Sequence, residues 1–141
     1  MGRDDATSRT EAQWREILPP DRYEVLRGKA TERAFTGELL DKAEPGVYFC
    51  AGCGAELFGS DSKFDSGCGW PSFTAPIDGV AGDAIREETD NSLFMKRTEI
   101  LCEACGGHLG HVFDDGPGET GLRYCVNSLS LEFAPDDDGV G

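Results

Sequence analysis

The sequence predicts a mainly β domain with short N-terminal helices. Three observations carry this prediction. Short apolar runs alternate with turns after residue 31, 19 of the 141 residues are glycines, and two Cys-x-x-Cys pairs each end a β-type segment. This length suits one domain with one core. We expect a helical cap (1–33), a catalytic β core (34–134) and an acidic tail (135–141) that has no function of its own.

Two short helices are predicted at the N-terminus. Ser8-Arg9-Thr10-Glu11 has the pattern of a capping box, and apolar residues follow it at helical spacing as far as Leu18. Pro19-Pro20 ends this helix, and a second helix runs from Asp21 to Gly28. We expect both helices to cover the core and to carry no functional face.

Strands are predicted from the pattern of apolar residues along the rest of the chain. Gly46–Cys50 and Leu93–Cys102 each lead into a Cys-x-x-Cys turn. A C-terminal strand is indicated by apolar residues at every second position, namely Leu129, Leu131 and Phe133. These positions have the same parity as Cys125. The sequence therefore leaves two possibilities open: one strand whose face changes from active site to core, or a β-bulge near Asn127-Ser128.

Four of the six cysteines form two matched pairs, Cys50/Cys53 and Cys102/Cys105, each followed by a glycine. Two such turns are typical of a tetrahedral four-thiolate zinc site, and the trailing glycines suit positive φ. Two disulfides are the alternative, which a reducing cytosol disfavours. Four thiolates leave no open coordination position for water, so we expect one structural zinc ion.

The charge of the chain excludes some partners. There are 27 acidic against 13 basic residues, a net charge of -14. Such a surface repels phosphate backbones, so no nucleic-acid partner is expected. No apolar run is long enough to approach a membrane span, and the N-terminus lacks the apolar core of a signal peptide. We therefore expect a cytoplasmic protein that does not bind membranes. The acidic excess also suggests a high-salt cytoplasm, which loss of folded signal at low salt would test.

The remaining cysteines, Cys68 and Cys125, suit a nucleophile and a resolving partner. If residues 121–128 form a strand, Arg123, Cys125 and Asn127 share one face. A cation beside a thiol favours the nucleophilic thiolate by lowering its pKa. Cys68 lies between two glycines, which give its loop backbone freedom.

An aromatic residue and two histidines complete the candidate site. Trp70, held extended by the proline after it, suits the wall of an apolar pocket. His108 and His111 are the only histidines. They suit acid–base groups near the thiol better than zinc ligands, because paired cysteines already satisfy one ion. Three residues apart, they share a face in a turn and oppose each other in a strand. The glycines beside them favour a turn, and the sequence does not say which histidine donates a proton.

Three segments resemble the signature segments of the B-type methionine sulfoxide reductases: Ser66–Phe73, His108–Phe113 and Arg123–Ser128. The Cys-x-x-Cys turns resemble those of the zinc-containing members, and the similarity extends from about Phe35 to Phe133. In one departure, Leu93-Phe94 stands where many members have His-Gly, so any contact of that histidine is absent here.

The resemblance implies antiparallel sheets in a small barrel-like or tent-like domain. It also implies a peptide-methionine (R)-S-oxide reductase, acting on oxidised proteins or smaller methionine sulfoxides. It implies a catalytic thiol at Cys125, which becomes a sulfenic acid, and a resolving thiol at Cys68, with thioredoxin reducing their disulfide. The remaining candidates are His108 or His111 as proton donor, Asn127 and Arg123 as groups that orient or activate the thiol, and Trp70 and Phe113 as substrate contacts. We expect a monomer. A zinc-ribbon interaction module and a thiol peroxidase or redox sensor are the alternatives; neither requires all of these residues.

Overall fold

The computed structural model describes residues 10–28, 30–40, 42, 44–79, 82–91, 96–117 and 120–135. It is mainly β, as predicted, with two antiparallel sheets and two short helices among the described residues. The Leu93-Phe94 departure, Ser8 and the acidic residues 136–138 lie outside these ranges. Within them, every helix is too short and too polar to cross a bilayer.

The helices are α1 (Glu11–Ile17) and α2 (Pro20–Leu26). Helix α1 is capped by Thr10, whose side chain accepts the Gln13 N–H while the Gln13 side chain accepts the Thr10 N–H. The capping box thus begins at Thr10 and not at Ser8, because Thr10 is the extended residue immediately before the first helical turn. Buried apolar side chains of both helices, among them Trp14 and Leu26, join the core.

The smaller sheet has the strand order β2-β1-β9, and the larger sheet has the order β3-β4-β8-β7-β6-β5. The strands are β1 (Gly46–Cys50), β2 (Glu56–Gly59), β3 (Lys63–Phe64), β4 (Ser72–Phe73), β5 (Ile85–Asp90), β6 (Arg97–Cys102), β7 (His108–Phe113), β8 (Arg123–Val126) and β9 (Leu131–Pro135). All the pairings are antiparallel. The predicted strand ending at Cys50 is confirmed, and β6 lies within the predicted 93–102 segment.

Aromatic side chains fill the space between the two sheets. Tyr48 and Phe58 come from the smaller sheet and are fully buried against Phe73 and Tyr124 of the larger one. The Phe58 and Phe73 rings stack with centroids 4.3 Å apart, and the Tyr48 ring meets Phe73 edge-on at 5.1 Å. Tyr124 points into this core because it alternates with Arg123 and Cys125 along β8. The core therefore fixes which face of β8 carries the reactive thiol.

The C-terminal segment differs from both sequence-based possibilities. Strand β8 ends at Val126, a 3-10 turn spans Ser128–Ser130, and β9 then joins the other sheet beside β1. Leu129 thus belongs to the turn and not to the strand. The shared parity of Cys125 and Leu131 needs neither a change of face nor a bulge, because the turn ends one strand and starts another.

Candidate active site and metal centre

Four thiols lie together where the two sheets meet. Cys50 ends β1 of the smaller sheet, and Cys102 ends β6 of the larger one. The Sγ atoms of Cys50, Cys53, Cys102 and Cys105 all lie within 4.8 Å of one another. Cys50 and Cys105 are 3.7 Å apart, and Cys53 and Cys102 are 3.6 Å apart. Sulfurs at Zn–S bonds of about 2.3 Å in a tetrahedron lie about 3.8 Å apart, so the cluster fits a tetrahedral metal ion.

The turns that carry these thiols need glycine and are covered by the helices. Gly54 and Gly106 adopt the predicted positive φ, 82° and 76°. A side chain added at Gly107 would meet Leu26 of α2 at 2.9 Å, and the Arg27 guanidinium donates to the Cys105 carbonyl at 2.9 Å. The helices therefore cover the turns that carry the clustered cysteines.

The other two thiols, Cys68 and Cys125, lie together in a second cluster. Cys125 Sγ lies 3.1 Å from Cys68 Sγ, although 57 residues separate them in sequence. The loop that carries Cys68 is followed by β4, which pairs directly with β8 and sets Ser72 opposite Cys125. Gly67 and Gly69, on either side of Cys68, have φ of 77° and 95°. The structure thus brings both predicted reactive cysteines into one site.

The pKa values of the two thiols differ, and the lower one belongs to Cys68 and not to Cys125. Burial is the main reason that the pKa of Cys125 is raised, to about 12, and the neighbouring Cys68 raises it further. Burial also opposes ionisation of Cys68, but hydrogen bonds from Ser66 and Ser72 lower its pKa to about 7. Arg123 lowers the pKa of Cys125, in the direction that the sequence predicted, but burial and the contact with Cys68 outweigh this effect.

Arg123 nevertheless contacts the thiol as predicted. Its Nη1 donates to Cys125 Sγ at 3.0 Å, and its Nε and Nη2 donate to the two Asp115 carboxylate oxygens at 2.8 and 3.0 Å. Asp115 raises the pKa of Arg123, and Arg123 lowers the pKa of Asp115. The guanidinium also lies over the Phe113 ring, 4.5 Å from its centroid. Phe113 is thus both part of the cavity wall and a support for the cation.

A cavity of about 150 Å³ opens above Cys125. It is lined by Thr31, Cys68, Trp70, Arg97, Gly110, His111, Phe113, Arg123, Cys125 and Asn127. Trp70 is half-buried in its wall, as the sequence predicted for an apolar pocket. Of the residues predicted for the site, His108 does not line this cavity.

Glu32 holds two residues of the cavity. Its backbone carbonyl accepts the Trp70 indole N–H at 3.0 Å, and its backbone N–H donates to Asn127 Oδ1 at 3.0 Å. The Asn127 amide N–H donates to the Leu109 carbonyl at 3.0 Å. The side-chain oxygen and one side-chain N–H of Asn127 are thereby bonded to the backbone. Among the described residues, Asn127 shapes the site and makes no hydrogen bond to the thiol.

The two histidines lie on a strand and not on a turn. Along β6 and β7, Ile100 pairs with Gly110 and Leu101 pairs with His108, so β7 contains one extra residue at this point. This β-bulge resets the alternation of side chains. The His108 and His111 rings consequently approach to 5.8 Å between centroids, although three residues apart on a regular strand would place them on opposite faces.

The histidines have different partners. His108 is 3% exposed, and its Nδ1 lies 2.7 Å from a carboxylate oxygen of Glu99, which is equally buried. His111 stands directly opposite Cys125 in the β7–β8 pairing, and its Nε2 lies 2.7 Å from Asp90 Oδ2. His111 lines the cavity and His108 supports it from the core, which separates two residues that the sequence left equivalent.

Sequence reasoning missed the acidic partners Asp90, Glu99 and Asp115 and the anchor Glu32. Each contacts a predicted site residue from 8 to 95 positions away. In a chain with 27 acidic residues, no composition signal distinguishes these four from the solvent-exposed ones. Only cross-strand register could have found Glu99, which pairs opposite His111.

Comparison with known proteins gives one consistent family. Residues 18–135 match the model of the SelR domain. Curated relatives named peptide methionine sulfoxide reductase MsrB include one from Bradyrhizobium diazoefficiens, 58% identical over 94% of this chain and 93% of its own length. Another, from Methanosarcina barkeri, is 52% identical over 95% of this chain and 92% of its own length.

A solved structure, the Mis18 'Yippee-like' domain, is similar in fold alone. It has a TM-score of 0.50 and 17% identity, and it covers 64% of this chain and 96% of its own chain. The sequence match is far closer than this fold match and covers all the predicted site residues. The chain belongs to the SelR domain family, with curated relatives that are peptide methionine sulfoxide reductases.

Proposed function

We propose that this protein reduces the R epimer of methionine sulfoxide to methionine, with Cys125 as the nucleophile and Cys68 as the resolving thiol. The activity follows from membership of the family. The assignment of roles rests on one observation, the 3.1 Å approach of Cys68 to a Cys125 thiol that lies in the cavity beside Trp70 and His111.

The reductase step needs a thiolate, a positioned sulfoxide and a proton. Substrate that binds between Trp70 and Cys125 displaces Cys68. Because the contact with Cys68 raises the pKa of Cys125, its loss lowers that pKa. Arg123, still 3.0 Å from Cys125 Sγ, then favours the thiolate. The sulfur of Cys125 gains an S–O bond as the substrate S–O bond breaks, and one proton from His111 balances the charge. Methionine leaves, and Cys125 remains as a neutral sulfenic acid.

The second step, in which the sulfenic acid becomes a disulfide, uses the thiol of the Cys68–Cys125 pair that has the lower pKa. The Cys68 thiolate, with its pKa of about 7, attacks the sulfenic sulfur of Cys125, forms the disulfide and releases the oxygen as water after protonation. Cys68 is half-buried in a loop, whereas Cys125 is buried, so an external dithiol reaches the disulfide at Cys68. We propose a thioredoxin-like protein as this dithiol, a monomeric enzyme, and oxidised proteins as well as smaller methionine sulfoxides as substrates. A reducing cytoplasm suits six free thiols.

We further propose that the four-cysteine cluster holds one zinc ion. The donor set is four sulfurs at tetrahedral spacing, and soft thiolates select zinc over magnesium or calcium. The ion would have a structural role, because four thiolates leave no coordination position for substrate and the cluster is not part of the cavity.

Two variants test the roles of the thiols. Cys125→Ser should form no methionine from the R sulfoxide, even in a single turnover. Cys68→Ser should release about one methionine per chain and then stop with thioredoxin alone, and dithiothreitol should restore turnover by attacking the sulfenic acid. The S sulfoxide is the control substrate. Equal thioredoxin-supported turnover in wild type and Cys68→Ser would remove Cys68 from the cycle, and methionine formation by Cys125→Ser would refute the nucleophile.

A further inference from the structure

Asp90 contacts the one histidine that lines the cavity. It ends β5, two strands away from His111 on β7, and Oδ2 of Asp90 lies 2.7 Å from His111 Nε2. Both side chains are mostly buried, with 19% and 14% exposed. Arg97, another cavity residue, donates to the same oxygen at 3.4 Å. Asp90 is thus held between a cation and the ring, and its distance to the ring is that of a strong hydrogen bond.

The chemistry of the carboxylate decides which ring nitrogen carries the proton. An ionised carboxylate only accepts hydrogen bonds, so Nε2 of His111 must be the donor. The remaining nitrogen, Nδ1, has no hydrogen-bond partner among the described residues. In the neutral ring Nδ1 is unprotonated. In the imidazolium form it carries the only ring proton that can be given up without breaking the bond to Asp90.

We propose that Asp90 is a positioning residue for the reductase step, and that Nδ1 of His111 is the atom that delivers the proton to the sulfoxide oxygen. Asp90 fixes the ring orientation and stabilises the imidazolium before transfer. After transfer, the neutral ring keeps Nε2–H on Asp90. The balance is one thiolate, one sulfoxide and one imidazolium proton giving sulfenic acid, methionine and neutral imidazole. The proposal rests on the proposed function, because it assigns an atom to its proton transfer.

Three variants test the proposal in the holoenzyme. Asp90→Asn keeps the size of the side chain but removes the charge, and Asp90→Ala removes the hydrogen bond. Glu88→Gln is the matched control, since it removes one carboxylate from an exposed position on the same strand. Single-turnover methionine formation should fall about 10- to 100-fold in Asp90→Asn, less than the full contribution of a general acid. The substrate concentration at half-maximal rate should change little, as expected for an interaction made in the transition state. Glu88→Gln should behave as wild type.

Ring-nitrogen NMR gives a readout that a structural role would not move. With only two histidines in the chain, the His111 signals are identified by their absence from His111→Asn. Wild type should show a proton on Nε2 of the neutral His111 ring, and Asp90→Ala should lose this preference. A wild-type ring with its proton on Nδ1, or an Asp90→Asn single-turnover rate within about twofold of wild type, would overturn the proposal. A wild type that forms no methionine would refute the proposed function instead, while the NMR result would still decide the Asp90–His111 bond.

Discussion

At the scale of single residues, burial separates His111 from His108. His111 faces the cavity and bonds a partly buried carboxylate, whereas His108 bonds Glu99 within the core. A cavity residue acts on the substrate, and a core residue acts on the shape of the strand that carries it. The same substitution should therefore have different consequences at the two positions.

We predict that His111→Ala lowers the single-turnover rate by about 10²-fold or more, because the proposed acid is lost from the cavity wall. It should cost less stability than His108→Ala, because its partner Asp90 is 19% exposed and still accepts a hydrogen bond from Arg97. His108→Ala should instead lower the free energy of unfolding by about 1–3 kcal/mol, the scale for leaving a buried hydrogen-bonding group without one of its partners. Urea unfolding and single-turnover kinetics on both variants separate these effects. Equal rate losses with equal stabilities would contradict the distinction.

We predict that alkylation distinguishes the six thiols in order. Cys68 should react first, with a rate that rises through about pH 7, because its pKa is lowered and only the thiolate reacts. Cys125 should react only at much higher pH, because its pKa is raised to about 12. The four clustered cysteines should stay protected while metal is bound. Peptide mapping after short iodoacetamide pulses from pH 5 to 10 measures this order, and faster labelling of Cys125 than of Cys68 at pH 7 would contradict it.

The sequence allowed residues with distinctive side-chain chemistry to be predicted for the site, but not the residues that they contact. Cys125, Cys68 and Trp70 stand out because thiols and a Trp-Pro pair are rare and have few roles. Asp90 and Asp115 do not stand out, since an aspartate acquires its role only from the strand register that places it beside a ring or a guanidinium. The raised pKa of Cys125 could not be predicted for a related reason: the sequence showed the cation that lowers this pKa but not the depth of burial that raises it.

At the scale of elements, irregularities of the backbone decide what the site contains. The β-bulge in the β6–β7 pairing brings both histidine rings to one side, and the 3-10 turn at Ser128–Ser130 passes the chain from one sheet to the other. Period-2 reasoning assumes regular strands, so a shared face of the two histidines was expected only in a turn, and the C-terminal segment was expected to be one strand, with or without a bulge. The location of bulges depends on pairing partners, which a single strand's sequence does not contain.

The 3-10 turn depends on a buried carboxylate. Glu32 is 8% exposed, and its Oε1 accepts the Leu129 N–H at 2.9 Å. We predict that Glu32→Ala lowers the free energy of unfolding by about 1–3 kcal/mol, because that partly buried N–H loses its acceptor. Glu32→Gln keeps an acceptor oxygen and should lose less. Urea unfolding measures the difference, with Glu38→Ala, at an exposed position of the same segment, as the control. Equal stability of Glu32→Ala and Glu38→Ala would contradict this role.

At the scale of the whole molecule, the four-cysteine cluster connects the two sheets. Cys50 and Cys53 follow β1 of the smaller sheet, while Cys102 and Cys105 follow β6 of the larger one. The sequence predicted that the cluster would join two distant strands. It did not predict that these strands belong to different sheets, because sheet membership depends on long-range pairing such as that of β9 with β1.

We predict that Cys102→Ser lowers the free energy of unfolding by several kcal/mol and abolishes binding of the single zinc ion, because metal affinity contributes directly to folding. Activity should fall together with the folded fraction and not ahead of it. Metal analysis, thermal unfolding and activity on the same samples test this coupling. A folded, metal-free and fully active Cys102→Ser protein would contradict the structural role. The proposed preference for high salt stays a separate prediction, tested by unfolding as salt is removed.

The main-chain bonds of Glu32 to Trp70 and Asn127 have a consequence for sequence change over evolution. Because the donor and the acceptor are peptide groups, any residue except proline at position 32 can supply them, and substitution scanning would underestimate how much the cavity depends on this segment. The geometry of the cavity should instead be sensitive to the number of residues that precede Glu32 in this segment. Inserting or deleting one residue shortly before Glu32 would move a different peptide group into that place, so this segment should tolerate substitutions far better than changes of length.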